Sequence, residues 1–80
     1  MHDRKECNER VAKNIKRIRL SKNLTQKQVA DAINITPRCY CYYETAKRDI
    51  PLNILIRLSY LFNVDINMIV NYKDEEVQKI

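Results

Sequence analysis

Three basic side chains and several polar ones lie between residues 36 and 48 of this 80-residue chain. Arg38 lies at the start of a predicted helix, and Tyr42 follows about one helical turn later. Lys47 and Arg48 come just after that helix should end. A guanidinium can bond the O6 and N7 atoms of guanine together, whereas basic side chains in a loop suit phosphate oxygens. On a helix that faces DNA, these residue types would contact the double helix, whereas on any other helix Arg38 would be a solvated surface arginine.

The residues that usually carry catalysis or bind metals are sparse. His2 is the only histidine, and the chain has no glycine and therefore no glycine-rich loop. Cys7, Cys39 and Cys41 are odd in number, so a zinc site would lack ligands. We therefore expect three reduced thiols, no enzyme activity, no metal and no other cofactor.

The length of 80 residues indicates one small domain. The chain has 15 lysines and arginines against 10 aspartates and glutamates, which gives a net charge of +5. That excess suits a polyanion, although modest basicity alone is not specific. No apolar run is long enough to span a membrane. Because the first nine residues are polar and charged, we do not expect them to form a signal peptide. We expect a cytoplasmic protein without a membrane partner.

Two short helices are predicted in the middle of the chain. Thr25 and Gln28 form a capping box, which should start the first of them. Asn34 tolerates the left-handed conformation that ends many helices. Thr36 then supplies a cap, and Pro37 is favoured at the first helical position of a second helix. Two helices joined by so short a link must cross steeply, which is typical of a helix-turn-helix unit.

Three further helices are expected around this unit, at residues 3–22, at residues 51–62 and after the cap residue Asp65. The helix that begins at Pro37 should extend to about Glu44. The predicted core consists of the apolar positions of these helices: Cys7, Val11, Ile15, Ile18, Val29, Ala30, Ile33, Tyr40, Tyr43, Leu52, Leu55, Leu58, Phe62, Ile66, Ile69 and Val70.

Over roughly residues 11 to 71, the sequence resembles the phage-repressor/Cro type of helix-turn-helix protein, often called the Xre family. The residues that carry the resemblance are Ile15, Arg19, Leu24, Thr25, Gln26, Ala30, Ile35, Tyr43, Glu44, Lys47, Arg48, Pro51, Leu55, Leu58, Phe62, Asn63, Val64 and Ile69. The resemblance implies an all-α, five-helix lambda-repressor-like DNA-binding domain over residues 1–72, with a helix-turn-helix formed by helices 2 and 3. A charged C-terminal tail, residues 73–80, would follow.

The resemblance also implies roles for individual side chains. It places Gln26 against a phosphate, and it pairs Arg19 with Glu44 in a partly buried salt bridge that ties the first helix to the third. The outward face of that third helix should present Pro37, Arg38, Cys41 and Tyr42. The complete predicted DNA-binding set is Gln26, Lys27, Thr36, Pro37, Arg38, Cys41, Tyr42, Lys47 and Arg48.

One loop departs from the pattern of the family. Most members have Asn-Gly where this chain has Thr45 and Ala46. Because the chain contains no glycine, Ala46 must either adopt a positive φ angle or extend the third helix. The sequence leaves this choice open.

The predicted function is that of a sequence-specific transcriptional regulator, a repressor that binds a palindromic operator as a homodimer. Met68, Tyr72, Val77 and Ile80 form the predicted dimer interface, because the core does not need them. Alternatively, the tail frays and two copies associate only on DNA. Two other functions remain open, namely the DNA-binding antitoxin of a toxin–antitoxin pair and a protein-interaction module that does not bind DNA.

Overall fold

The computed structural model describes residues 4–71, which form five α-helices and no strand. The helices are α1 (Arg4–Ser21), α2 (Gln26–Ala32), α3 (Pro37–Glu44), α4 (Leu52–Phe62) and α5 (Ile66–Val70). The all-α prediction is confirmed for this part of the chain, and α3 has the predicted bounds. The described residues do not include Tyr72 or the predicted tail, residues 73–80, which contains Val77 and Ile80.

Side-chain caps begin three of the helices. Thr25 Oγ1 accepts a hydrogen bond from the Gln28 N–H at 3.0 Å, and Gln28 Oε1 accepts one from the Thr25 N–H at 2.8 Å. The predicted capping box is therefore present. Thr36 Oγ1 accepts from the Cys39 N–H at 3.1 Å, and Asp65 caps α5, both as the sequence predicted.

Four residues with positive φ angles lie within two residues of a helix C-terminus. Asn23, Asn34 and Asn63 have φ angles of 60°, 68° and 59°, which the short polar side chain of asparagine tolerates. Asn34 thus ends α2 as predicted, and Asn63 ends α4 in the same way. Ala46 is the fourth, with φ at 60°, so it does not extend α3 but turns the chain sharply after it.

The backbone around Ala46 closes α3 with two hydrogen bonds. The Lys47 N–H donates to the Tyr42 carbonyl at 2.9 Å, and the Ala46 N–H donates to the Tyr43 carbonyl at 3.3 Å. This is the pattern of a Schellman cap, in which glycine usually occupies the left-handed position. A β-carbon at this position costs roughly 1–2 kcal/mol.

Replacing Ala46 with glycine should therefore raise the free energy of unfolding by about 0.5–1 kcal/mol. The gain is smaller than the strain because glycine has more backbone freedom in the unfolded chain. Urea unfolding measures the difference. Ala32→Gly is the matched control, since Ala32 is an exposed residue in the last turn of α2, and it should lose up to about 1 kcal/mol. Equal losses in the two variants would contradict a left-handed Ala46.

All five helices contribute to one hydrophobic core. Its fully buried side chains include Ile15, Val29, Ala30, Tyr40, Leu58, Phe62 and Ile69. Ala30 of α2 is small and buried, and α2 packs against α3. The core thus fixes the position of α3 relative to the other helices.

Two predicted core residues are exposed. Leu52 is 66% exposed, whereas Ile54, which was not predicted, is buried. At 3.6 residues per turn, the buried stripe of α4 runs through residues 54, 58 and 62, so Leu52 falls on the opposite side with Ile56 and Tyr60. Cys7, near the start of α1, is also exposed.

A buried polar contact joins the two ends of the fold. Asn14 of α1 donates from Nδ2 to the carbonyl of Ile69 in α5 at 2.7 Å. The bond satisfies a carbonyl near the C-terminal end of α5, where helices leave backbone acceptors free. Within residues 4–71, no helix combines the length and the apolar character needed to cross a membrane.

Candidate nucleic-acid interface

The predicted helix-turn-helix unit is present. Four residues, 33–36, separate the end of α2 from the start of α3. The Ile33 N–H donates to the Val29 carbonyl at 3.0 Å, and the Ile35 N–H donates to the Ala30 carbonyl at 3.0 Å. These bonds hold the link close to α2 and so fix the direction of α3 relative to α2.

One side of α3 is open to solvent. Pro37 and Arg38 are exposed at its first turn, and Cys41 and Tyr42 are half-buried further along. Tyr40, together with Tyr43, is buried in the core, as predicted. The exposed guanidinium of Arg38 has no hydrogen-bond or ion-pair partner among the residues that the structure describes, which leaves it free to bind a ligand.

The loop after α3 places two more cations near this face. Lys47 and Arg48 are both exposed. The guanidinium carbon of Arg48 lies 5.1 Å from the centroid of the Tyr42 ring, within the range of a cation–π contact. The sequence predicted both cations as ligands of phosphate but did not predict the contact with Tyr42.

Lys27 and Thr36, two other predicted site residues, already make contacts within the protein. Lys27 Nζ lies 2.9 Å from Asp31 Oδ2, and both side chains are largely exposed. An exposed pair of this kind contributes little to stability, so Lys27 can exchange its partner easily. The hydroxyl of Thr36 caps α3 through the Cys39 N–H.

A buried polar cluster surrounds the carboxylate of Glu44 at the end of α3. Arg19 of α1 donates to it twice, from Nε at 2.6 Å and from an η nitrogen at 3.2 Å. Tyr40 donates its hydroxyl at 2.6 Å, and Gln26 donates its side-chain amide at 3.0 Å. The remaining η nitrogen of Arg19 donates to the Leu24 carbonyl at 2.7 Å. The cluster therefore connects α1, α2 and α3.

The cluster keeps each of its groups in its usual protonation state. Burial favours the neutral form of Glu44, but hydrogen bonds from Arg19, Tyr40 and Gln26 outweigh it and lower the pKa of this carboxyl. The pKa of Arg19 is raised, chiefly by its hydrogen bond to Glu44. Burial, followed by the bond to Glu44, raises the pKa of Tyr40. Glu44 is therefore an anion held by four hydrogen bonds from three side chains.

The expected ion pair between Arg19 and Glu44 is present and is more deeply buried than expected, with 9% and 1% of the two side chains exposed. The contributions of Tyr40 and Gln26 were not predicted from the sequence. Tyr40 stands four residues before Glu44 on the same helix, a spacing that brings side chains together. That spacing could have revealed the contact with Tyr40, whereas the contact with Gln26 depends on how α2 packs.

Exposed apolar side chains also occur outside α3. Leu52, Ile56 and Tyr60 form a stripe along α4, and Tyr60 is 81% exposed. Met68 of α5, which is predicted to lie in a dimer interface, is exposed as well. Its suggested companions, Tyr72, Val77 and Ile80, lie outside residues 4–71.

The chain matches the protein family described as helix-turn-helix over residues 15–69. Because this match covers more than half of the chain, the protein belongs to the helix-turn-helix family. The resemblance found in the sequence is thereby confirmed.

A curated relative is the uncharacterized HTH-type transcriptional regulator YqaE of Bacillus subtilis (strain 168). It is 31% identical over 65 residues, which amount to 81% of this chain and 56% of the relative. The chain thus spans little more than half the length of that protein.

Two solved structures share the fold. The clp gene regulator ClgR from C. glutamicum superimposes with a TM-score of 0.79 over 92% of this chain and 96% of its own, at 12% identity. A transcriptional regulator from Listeria innocua gives a TM-score of 0.71 over 88% of this chain and 64% of its own, at 28% identity. For the described residues, these likenesses confirm the predicted five-helix, lambda-repressor-like fold.

Proposed function

We propose that this protein is a sequence-specific, DNA-binding transcriptional regulator that acts as a repressor. The observation that carries the proposal is the exposed Arg38 at the start of α3, which has no partner among residues 4–71. The core and the Glu44 cluster hold this helix in place. Membership of the helix-turn-helix family supports it. So do the descriptions of the relatives as transcriptional regulators.

In the proposed complex, α3 lies in the major groove with its outward face toward the base edges. Arg38 donates two hydrogen bonds to O6 and N7 of a guanine, because its fork matches these two acceptors. Pro37 has no N–H and fixes the backbone at the start of the helix. Cys41 and Tyr42, further along the same face, contact neighbouring bases.

The contacts with the DNA backbone come from both ends of the helix-turn-helix unit. Lys47 and Arg48 bind phosphates beyond the end of α3, and Lys27 and Thr36 do so near the starts of the two helices. The side-chain amide of Gln26 donates a hydrogen bond to Glu44. Gln26 also lies at the start of α2, where backbone N–H groups attract a phosphate, so we place it beside one. These contacts orient the domain without distinguishing sequences.

Binding should weaken steeply as salt rises. The chain carries a net charge of +5, and each phosphate that it neutralises should contribute a slope of about −0.9 in log K against log salt. Fluorescence anisotropy with a labelled duplex, repeated across a range of potassium chloride concentrations, measures this slope. An affinity that stays constant between low and physiological salt would contradict the proposed function.

We also propose that two copies bind a palindrome whose half-sites lie about one helical turn apart, since one helix contacts only a few base pairs. The proposed interface includes Met68, Tyr72 and the tail residues Val77 and Ile80. Removing residues 73–80 should then weaken self-association in sedimentation experiments without DNA. Met68→Ser in the full chain should weaken it as well. Association constants that neither change alters would exclude this surface from the interface.

A further inference from the structure

Arg48 and Tyr42 form a stacked pair at the candidate interface. The guanidinium carbon of Arg48 lies 5.1 Å from the ring centroid of Tyr42. Tyr42 is half-buried in α3, whereas Arg48 is exposed in the loop that follows. A guanidinium above an aromatic face is attracted by the electron density of the ring. Each side chain therefore limits the freedom of the other.

The backbone holds this pair together. The Lys47 N–H donates to the Tyr42 carbonyl at 2.9 Å, and the left-handed Ala46 folds the chain back beside the last turn of α3. On the other side of Arg48, Asp49 accepts a hydrogen bond from Asn8 of α1 at 2.5 Å. The backbone on both sides of Arg48 is thus held in place.

The stack decides which part of the tyrosine ring can contact DNA. Arg48 covers one face of the ring, so a base must approach Tyr42 from the ring edge or from the opposite face. Base pairs in an intact duplex present their edges in the major groove, and the apolar group among those edges is the 5-methyl group of thymine. The hydroxyl of Tyr42 has no hydrogen-bond partner within residues 4–71, so it is the other group able to contact a base.

We propose that the ring of Tyr42 contacts the 5-methyl group of one thymine in each half-site and that Arg48 is the positioning residue that holds the ring there. This inference rests on the proposed function, because it requires α3 to lie in the major groove. It assigns Arg48 a part in sequence preference in addition to a phosphate contact.

The test uses a duplex selected for tight binding from a pool of random sequences. Each of its thymines is replaced in turn with deoxyuridine, which lacks only the methyl group. Wild-type protein should lose about fourfold in affinity at one thymine per half-site, the effect expected from one methyl group that is no longer removed from water. Tyr42→Phe should keep this loss, since the ring remains. Tyr42→Ala should bind the thymine and uracil duplexes equally.

Arg48→Lys separates positioning from charge. Lysine keeps the positive charge but lacks the planar group that stacks on an aromatic ring. The variant should therefore keep the salt dependence of the wild type while its preference for thymine over uracil falls toward one. Lys47→Ala is the control, and it should weaken binding to both duplexes by the same factor and leave the preference intact.

Four results would overturn the inference. Wild-type protein that binds the selected duplex but is insensitive to deoxyuridine at every position makes no methyl contact. Preference that survives in Tyr42→Ala assigns the methyl contact to another residue. Preference that is lost in Tyr42→Phe assigns the contact to the hydroxyl, and preference that is unchanged in Arg48→Lys removes the positioning role. Failure to bind any duplex would instead refute the proposed function itself.

Discussion

Arg19→Ala is expected to lower the free energy of unfolding by about 3–5 kcal/mol, the usual effect of removing one partner of a buried ion pair. Only 1% of the Glu44 side chain is exposed, so its charge cannot recover solvation when Arg19 is removed. The hydrogen bonds from Tyr40 and Gln26 remain and hold the loss toward the lower end of this range. The Leu24 carbonyl also loses its donor.

Thermal unfolding followed by circular dichroism measures this effect. A loss of 3 kcal/mol corresponds to a melting temperature lower by about 12–24 °C in a domain of this size. Lys16→Ala is the matched control, because Lys16 is an exposed cation on the same helix, and it should change stability by less than about 0.5 kcal/mol. Adding Glu44→Gln to Arg19→Ala should recover part of the loss, since no unpaired charge then remains buried. Equal melting shifts for Arg19→Ala and Lys16→Ala would contradict the buried pair.

Arg38→Ala is expected to weaken binding to the preferred duplex by about 1–3 kcal/mol per half-site and to relax the preference at one base pair. The physical reason is that a two-pronged hydrogen bond to guanine has no equivalent on the other base pairs. Titration against the selected duplex, against its single-base variants and against an unrelated duplex measures both effects.

Lys47→Ala is the matched comparison, because Lys47 lies in the loop where only the DNA backbone should be within reach. It should weaken binding to all three kinds of duplex alike and should reduce the magnitude of the salt slope by about one unit. Arg38→Ala is measured with and without Tyr42→Ala, so that a contact from Tyr42 cannot mask the loss. Full discrimination by Arg38→Ala in both backgrounds would show that α3 does not present Arg38 to a base.

The helix-turn-helix unit could be predicted from local sequence signals. The capping box at Thr25, the cap at Thr36 with Pro37, and the stop at Asn34 each act within a few residues, so the chain shows them without tertiary information. Arg19 and Glu44 are distant in sequence, and their pairing came from the resemblance to a family. The structure confirms it and adds the donors from Tyr40 and Gln26.

The errors have a common cause in ambiguous or non-local packing. Since α4 is apolar on several sides, its periodicity did not show that Ile54 faces the core and Leu52 faces solvent. Asn14 pairs with a carbonyl 55 residues away, which no local pattern predicts. The stack of Arg48 on Tyr42 depends on the φ angle of Ala46, and the sequence left that angle open.

Selection of bound sequences from a pool of random duplex DNA tests the central claim most directly. It measures binding, base preference and the spacing of half-sites in one experiment. Repeated selection should enrich a palindromic sequence with half-sites about one helical turn apart and with a guanine whose enrichment disappears when Arg38→Ala protein is used. A final pool with the same sequence composition as the starting pool would contradict the assignment of this protein as a sequence-specific DNA-binding regulator.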